Sequence, residues 1–180
     1  SAEQWATTLR LAIDRKWVRL QPFPLLDMRG AEVHWECPLR LRFNEDAEWQ
    51  PAGRFLPVAE RLGLTAELDL LAVELAFGML QTSHASGELA INLSPQSVAD
   101  AKFRASLLAL VSRHHGDARR LWLEVSEGGA LLHLQELAEL CRGLAKFGCQ
   151  VGIEHFGREF GQIGRLHDIG LAYLKVDSSF

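Results

Sequence analysis

The sequence predicts an α/β fold in which short strands alternate with helices around a mainly parallel sheet. From residue 89 to residue 176 the apolar runs follow the order strand, helix, strand, helix, strand, helix, strand. That alternation favours a parallel sheet with right-handed crossovers. Upstream, two strand-like runs flank a turn at residues 27–30, which predicts an antiparallel hairpin. Polar side chains at the ends of successive strands then indicate an α/β barrel with a site at its rim.

The chain opens with a predicted amphipathic helix over residues 1–16. Trp5, Leu9 and Ile13 recur there at helical spacing, with charged residues between them. Two interpretations are open: a helix that packs on its own domain, and a linker that follows an upstream domain. Residues 17–180 form the predicted main domain, which we expect to be incomplete at its C-terminus.

The remaining elements follow from the apolar runs and their Gly and Pro boundaries. Residues 17–26 form a predicted strand that Pro22 and Pro24 restrict to a sheet edge or a barrel rim. The other predicted strands cover residues 31–42, 89–93, 121–125, 151–153 and 171–176. The predicted helices cover residues 54–62, 65–80, 101–114, 131–147 and 159–167.

The number of strands is small for a closed barrel. About six strands are predicted, whereas a closed (β/α)8 barrel needs about 250 residues, so we expect a barrel about two βα units short. Such a sheet would expose two strand edges. This predicts either a homodimer or a piece of a longer protein.

Composition indicates an ordinary globular domain. The 180 residues are 48% hydrophobic and 23% charged, and the net charge of −4 argues against binding to a DNA or RNA polymer. No apolar run reaches the ~18 residues that span a bilayer. Cys37, Cys141 and Cys149 are an odd number without CxxC spacing, which argues against a zinc site and for a reducing compartment. We expect a cytoplasmic location, either free or as the cytoplasmic part of an inner-membrane protein.

Polar groups recur where the predicted strands end. The oxygen donors among them are Glu36, Asn92, Glu124 and Glu154. Carboxylate and amide oxygens suit Mg²⁺, Ca²⁺ or Mn²⁺. The nearby cations Arg40 and Lys175 indicate a phosphate-bearing ligand, because a metal would bridge phosphate oxygens and the cations would neutralise the remaining charge. Each of these residues alone is more simply a solvated charge; their recurrence favours a site.

Five motifs in the same order resemble the EAL domain, the cyclic di-GMP phosphodiesterase module of bacterial signalling. Residues 36–40 (ECPLR) stand where that family has Glu-Ala-Leu-x-Arg. Residues 54–64 (RFLPVAERLGL) are similar to its Phe-Ile-Pro-x-Ala-Glu-x-x-Gly-Leu segment, and residues 91–94 (INLS) to its Val-Asn-Leu-Ser. Residues 123–127 (LEVSE) resemble Leu-Glu-Ile-Thr-Glu, and residues 154–177 align without a gap with the stretch from Asp-Asp-Phe-Gly to Lys-Ile-Asp.

The resemblance implies a modified TIM-type (β/α) barrel with an antiparallel first strand and cyclic di-GMP over the strand C-termini. It places metal ligands, for Mg²⁺ or Mn²⁺, at Glu36, Asn92, Glu124 and Glu154. It places Lys175 near the attacking water and Arg40 against the ligand. The ligand-binding residues that we infer with its help are Phe23, Leu39, Arg40, Asn92, Glu124, Lys175 and Asp177. Phe23 has two interpretations, stacking on a guanine and packing in the core.

Several departures from the family pattern predict that catalysis is lost. The Asp-Asp pair is Glu154-His155, so the second metal ligand is an imidazole without negative charge. The Gly-Thr-Gly-Tyr loop reads GREF at residues 157–160, the signature Ala-Leu is Cys37-Pro38, and the Gln of an early Gln-Pro is Phe23. The family's later active-site glutamate has no counterpart before the end of the sequence. We therefore expect Glu36, Lys175, Glu154 and His155 to be vestigial as catalytic groups.

The function that we predict from these residues is a cyclic di-GMP receptor without phosphodiesterase activity. The run His-Phe-Gly-Arg-x-Phe is similar to the LapD-type receptors of this family, which implies an upstream GGDEF-like domain. Such a receptor requires no cofactor, although Mg²⁺ or Mn²⁺ would bind if the site is still competent. The alternatives are a weakly active phosphodiesterase and a protein-interaction scaffold that no longer binds nucleotide.

Overall fold

A computed structural model describes residues 2–82, 87–157 and 160–176. The helices are α1 (Ala2–Asp14), α2 (Ala52–Arg61), α3 (Thr65–Thr82), α4 (Pro95–Ala99), α5 (Ala101–Arg113), α6 (Glu127–Leu132) and α7 (Leu134–Ala145). The strands are β1 (Val18–Leu20), β2 (Phe23–Leu26), β3 (Glu32–Glu36), β4 (Leu39–Leu41), β5 (Gln50–Pro51), β6 (Leu89–Asn92), β7 (Leu121–Ser126), β8 (Gln150–Phe156) and β9 (Tyr173–Val176). Short 3₁₀ helices cover Ala118–Arg120 and Phe160–Leu166.

A six-stranded mixed sheet in the order β2-β3-β6-β7-β8-β9 forms a half-barrel. Only its first pair, β2 and β3, is antiparallel, and the other neighbours are parallel. The carboxylate of Asp27 accepts hydrogen bonds from the backbone N–H groups of Arg29 and Ala31, which fixes the turn between β2 and β3. The predicted α/β barrel architecture with its opening hairpin is confirmed.

The core lies between this sheet and the helices on its outer face. Most of its largest fully buried side chains come from the helices and from the outward positions of the central strands. Among them are Leu68, Phe77, Phe103, Leu107, Leu137, Ile91, Leu121 and Leu123. Because alternate residues of each strand pack outward against the helices, the intervening residues line the concave face, where the polar groups collect.

Helix α1 packs on its own domain. Leu9 and Ala12 are completely buried, and Trp5 meets Phe43 edge to face at 5.2 Å between ring centroids. An ion pair joins Arg10 of α1 to Glu67 of α3. These contacts match the first of the two interpretations of residues 1–16, and the upstream linker remains a prediction.

The two N-terminal strand predictions were wrong in one respect, because each run is divided between two sheets. Residues 17–26 give β1 and β2, and residues 31–42 give β3 and β4. Strands β1, β4 and β5 form a separate antiparallel sheet in the order β1-β4-β5. Proline lacks the N–H that a continuous ladder needs, and Pro22 and Pro38 stand at the two breaks. Strand β5 lies between the predicted strand over 31–42 and the predicted helix over 54–62, where the sequence predicted no element.

Two helix predictions also need correction. The predicted helix over 131–147 is interrupted at His133, whose ψ of 44° falls outside the helical region. The segment before this break is capped by Ser126, whose hydroxyl accepts a hydrogen bond from the N–H of Gly129. The predicted α-helix over 159–167 is a 3₁₀ helix, Phe160–Leu166, in which Gly161 and Gly164 disfavour the α-helix.

Two further properties bear on the sequence predictions. Within the described residues, no helix is both long enough and apolar enough to cross a membrane. Cys37, Cys141 and Cys149 are buried and form no disulfide, and burial raises the pKa of the Cys37 thiol to about 12. These cysteines are therefore packing residues in this fold.

Candidate ligand-binding site

A pocket of about 840 Å³ opens at the carboxyl ends of the parallel strands. This volume is within the range of small-molecule sites, roughly 300–1,000 Å³. Its walls include side chains from β2, β3, β6, β8 and β9. The predicted site residues among them are Phe23, Glu36, Asn92, Glu154, His155 and Lys175.

Lys175 connects the carboxylate of Glu36, which lines this pocket, to the completely buried carboxylate of Glu124 beneath the pocket lining. Its ammonium pairs with Glu36 on β3 and lies 2.5 Å from Oε1 of Glu124 on β7. The phenol of Tyr173 donates a hydrogen bond to the same Glu124 oxygen at 2.7 Å. Nε2 of His34 lies 2.7 Å from Glu36 Oε1. We call these five residues the floor cluster.

The alternation of each strand explains why these groups meet. His34 and Glu36 are two residues apart on β3, as are Tyr173 and Lys175 on β9, so each pair faces the concave side of the sheet. Gly152 on β8 leaves the space that Tyr173 fills, because a Cβ at this glycine would lie 2.3 Å from the Tyr173 ring. A larger residue at position 152 would displace this ring.

Burial and charge shift the pKa values of two pocket carboxyls, Glu36 and Glu154, in opposite directions. Burial by itself would raise the pKa of Glu36, but hydrogen bonds from His34 and Lys175 outweigh it and hold the pKa below its ordinary value. Burial raises the pKa of Glu154, and the negative charge of Glu124 adds to this effect. Burial also raises the pKa of Tyr173, so its phenol stays a hydrogen-bond donor.

The end of β8 is irregular where the sequence departs from the family pattern. The pairing with β9 shifts register between Ile153 and Phe156. His155 has a φ of +51°, a left-handed conformation that is uncommon outside glycine and in which Asn, Asp and His are enriched. Its side chain is 68% exposed and lies 3.9 Å from the Glu154 carboxylate. The imidazole is thus at the solvent-facing rim rather than in the floor cluster.

A buried aspartate fixes the loop that follows β6. The carboxylate of Asp69 on α3 accepts a hydrogen bond of 2.7 Å from the backbone N–H of Ser94. Burial raises the pKa of Asp69 to about 6, although the hydrogen bonds from Ser94 and Ser97 work against this shift. Because Ser94 is two residues beyond Asn92, the contact positions the end of β6 at the pocket wall.

Other predicted ligand-binding residues lie elsewhere. Arg40 is in the three-stranded sheet, where its guanidinium donates to the Gln21 side chain, and it does not line the pocket. Leu39 is buried beside it in the core. Phe23 is 50% exposed and lines the pocket, so its position fits the stacking interpretation rather than core packing. Asp177 lies outside the described residues.

The donor set fits one divalent cation better than two. Glu36 and Glu124 converge on a single cationic position, and Oε2 of Glu124 is buried without a hydrogen-bond partner among the described residues. The resemblance to the EAL family places the second metal ligand at His155, whose imidazole is exposed and adds no negative charge. If an ion binds at the first position, its chemistry is that of a charge-neutralising Lewis acid.

Sequence reasoning missed two members of the floor cluster, His34 and Tyr173. Their positions two residues before Glu36 and Lys175 on predicted strands placed them on the same face. That period-two signal was present in the sequence. The sequence did not show how deep the Tyr173 ring lies, because that ring fills the space that Gly152 leaves.

Comparisons with known proteins agree with the fold. The family model described as the EAL domain matches residues 6–180. The cyclic di-GMP phosphodiesterase PdeF of Escherichia coli is 31% identical over 96% of this chain, which spans only 23% of that protein's length. The FimX EAL domain of Pseudomonas aeruginosa bound to c-di-GMP superposes with a TM-score of 0.86 at 25% identity, over 97% of this chain and 72% of that one.

A second solved structure adds evidence for the fold alone. The S helix-GGDEF-EAL portion of Vibrio cholerae LapD bound to c-di-GMP superposes with a TM-score of 0.90. Its identity is 23%, over 98% of this chain and 43% of that one. The half-barrel described above is therefore shared with proteins of very different sequence.

Proposed function

The chain belongs to the EAL domain family, and from that membership we propose that it is a cyclic di-GMP receptor that no longer hydrolyses the dinucleotide. The observation that carries the proposal is that one pocket contains both retained and altered family positions. Glu36, Asn92 and Lys175 still line it, whereas an exposed imidazole, His155, stands where the family has a carboxylate.

Recognition of the dinucleotide needs shape, cations and hydrogen-bonding groups, and the pocket supplies these. Lys175 offers positive charge toward phosphate, and Asn92 offers an amide at the wall. Phe23 presents a half-exposed ring that is available for stacking on a purine. The LapD and FimX structures were solved with c-di-GMP bound, which supports the same ligand for this chain.

Hydrolysis by a two-metal site needs two anionic positions that hold both ions. Glu36 and Glu124 supply the first, but their charges are already paired with Lys175. The second would fall on His155, which adds no negative charge and lies in solvent. The residues that would hold an ion here are therefore Glu36, Glu124 and Glu154, and no cofactor is required for the receptor function.

The experiment is a calorimetric titration with cyclic di-GMP, paired with a hydrolysis assay in Mg²⁺ and in Mn²⁺. We expect saturable binding and no linear dinucleotide at an enzymatic rate. Product at such a rate would establish instead the weakly active phosphodiesterase, which the 31% identity to PdeF favours as the second candidate. Absence of both heat and a thermal shift would exclude the receptor and favour the interaction scaffold over it.

A double substitution tests whether the end of β8 is the reason for inactivity. Glu154→Asp with His155→Asp restores both anionic groups at the lengths typical of the family. We expect it to increase Mn²⁺ binding relative to the unmodified chain. The matched control is His167→Asp, which adds the same charge at an exposed site away from the pocket. If the double variant binds no more metal than this control, the lesion lies elsewhere.

The wider setting follows from the same proposal. We propose that a GGDEF-like domain precedes this one in the parent protein, as in the LapD structure, and that the domain acts in the cytoplasm. The outer strands β2 and β9 each have one unpaired edge among the described strands, which supports pairing with a second copy or with further chain. Light scattering of the purified chain and of the parent distinguishes these arrangements.

A further inference from the structure

The three-stranded sheet β1-β4-β5 has a polar face whose arginines do not line the nucleotide pocket. Its other face is apolar and buried, as the alternation along β1 and β4 shows. Arg19 on β1 lies directly opposite Arg40 on β4, and opposite residues of an antiparallel pair share a face. The N–H of Arg42 donates to the carbonyl of Trp17, which continues the ladder and places Arg42 on the same face as Arg40. Three arginines are thus brought together on one small sheet.

Trp49, immediately before β5, orients two of these arginines. The guanidinium carbon of Arg19 lies 4.4 Å from the centroid of the Trp49 ring, and that of Arg42 lies 5.1 Å from it. Both distances are those of cation–π contacts, which hold a guanidinium against the ring. The two guanidiniums are therefore at most about 10 Å apart. Because a guanidinium is planar, stacking leaves its N–H edge available for hydrogen bonds in its own plane.

These two arginines have no carboxylate partner within the described residues. The Arg19 side chain makes no hydrogen bond there, and Arg42 donates only to the backbone carbonyl of Glu45 and has a buried Nε without a partner. Asp46 and Glu48 lie in the same connection, yet neither forms an ion pair with Arg19 or Arg42 in the described part of the chain. Like charges that face each other across paired strands are destabilising, so a bound anion would relieve this repulsion.

The chemistry of this face favours a short acidic segment over a nucleic acid. The chain has a net charge of −4, so the rest of its surface would repel a long polyanion. Single-stranded nucleic acids bind by stacking bases on open aromatic rings, but two guanidiniums already contact the Trp49 ring. Carboxylates pair instead with the N–H edge of a guanidinium, which stacking leaves available.

We propose that Arg19, Arg42 and Trp49 form a docking face for an extended acidic segment of a partner protein, with Glu or Asp at alternate positions. In an extended segment, side chains two residues apart point the same way and are about 6.8 Å apart. That spacing is within the separation that Trp49 allows its two guanidiniums. Arg40, which donates to the Gln21 side chain, adds a third positive charge beside them.

The test is fluorescence anisotropy with a labelled peptide, Glu-Thr-Glu-Thr-Glu-Thr, in the absence of nucleotide. We expect saturable binding that Arg19→Gln and Arg42→Gln each weaken by at least about tenfold, since each removes a charged hydrogen-bond donor. Arg113→Gln is the matched control, because it removes the same charge from an exposed position on α5. Equal peptide affinity in all three variants would overturn the docking face.

Two further peptides test the chemistry of the occupant. Glu-Glu-Glu-Thr-Thr-Thr has the same composition and charge without the alternation, and we expect it to bind more weakly. Equal affinity for both peptides would show attraction by charge alone and would overturn the proposal. A peptide with phosphoserine in place of each Glu should bind no better than the first. Binding of the phosphopeptide alone would also overturn the acidic segment as the occupant.

A second measurement needs no variant. In unmodified, ¹⁵N-labelled chain, the first peptide should shift the backbone amide resonances of β1, β4 and β5, and shifts confined to other elements would overturn the proposal. Cyclic di-GMP should not displace the peptide, because neither Arg19 nor Arg42 lines the nucleotide pocket. Displacement would assign this face to the nucleotide site and overturn the docking face. Because the peptide titrations omit nucleotide, their failure leaves the receptor function standing.

Discussion

Two parts of the pocket region hold their polar groups by different means. In the floor cluster on β3, β7 and β9, side chains fix one another, since Lys175 pairs with Glu36 and Glu124 and Tyr173 donates to Glu124. At the end of β8 the backbone sets the positions, through a register shift and the left-handed φ of His155. The difference implies that the floor cluster resists substitution, whereas the β8 end accepts new side chains.

The largest expected effect comes from removing the cation of the floor cluster. Lys175→Met leaves Glu36 and the completely buried Glu124 without their shared counter-charge. Breaking a buried pair by removing one partner typically costs about 3–5 kcal/mol, and we expect a decrease in the free energy of unfolding of about 3 kcal/mol. Urea denaturation measures it. Lys146→Met, on the exposed end of α7, is the control, and equal effects would show that the floor carboxylates are not held by ion pairing.

At the end of β6 a side chain fixes the backbone, because the buried carboxylate of Asp69 accepts a hydrogen bond from the backbone N–H of Ser94. The pKa of Asp69 is raised from 3.8 to about 6, so between these values the folded state binds a proton that the unfolded state has lost. The contribution of this group to stability is therefore present below pH 4 and decreases as the pH rises to about 6, by about 3 kcal/mol in total.

Asp69→Asn should abolish that pH dependence, because an amide does not titrate while its oxygen still accepts from Ser94. Urea denaturation at intervals from pH 4 to pH 7 measures the difference in slope. Asp100→Asn is a matched control at an exposed helix cap. A slope that is the same in the unmodified chain and in Asp69→Asn would show that Asp69 titrates in the folded state as it does in the unfolded one.

Packing beneath the floor cluster gives a smaller effect. In Gly152→Ala the new Cβ would lie 2.3 Å from the Tyr173 ring, so the ring has to move and its hydrogen bond to Glu124 weakens. Overpacking of this kind costs typically 1–3 kcal/mol, and we expect about 2 kcal/mol by thermal unfolding. Gly78→Ala on α3 meets no atom within 4 Å and should instead stabilise the chain. Stabilisation by both substitutions would refute the packing argument.

The same contrast explains how much the sequence predicted. The alternation of apolar runs predicted the parallel strands from β6 to β9, and the turn at Asp27 predicted the hairpin. The convergence of Glu36, Asn92, Glu154 and Lys175 on one pocket followed from strand ends alone. These features depend on local periodicity, which a single sequence carries.

What the sequence did not predict depends on three-dimensional context. The division of residues 31–42 at Pro38 moved Arg40 into the second sheet and away from the pocket. The entry of Tyr173 into the floor cluster depended on space at Gly152. The local sequence does not show that a chain leaves one sheet for another at a proline, nor how deep an inward-facing side chain lies. Both features are set by the neighbouring strands against which the segment packs.

The smallest expected effect tests whether the backbone conformation of His155 fixes the end of β8. Because His155 has a φ of +51°, a residue without Cβ should be favoured there. We expect His155→Gly to be more stable than His155→Ala by about 1 kcal/mol, measured by urea denaturation. At Lys146, whose φ of −59° is helical, the order should reverse and the alanine variant should be more stable.

A preference for alanine at position 155 as well would show that the left-handed conformation does not limit this site. A preference for glycine would instead mean that the left-handed backbone conformation decides which residues position 155 tolerates. Aspartate and histidine both adopt this conformation more readily than most residues, so both would be accepted there. Exchange of one for the other would then change charge without disturbing the fold. That is the condition under which hydrolysis can be lost from this pocket while Glu36, Glu124 and Lys175 keep their positions.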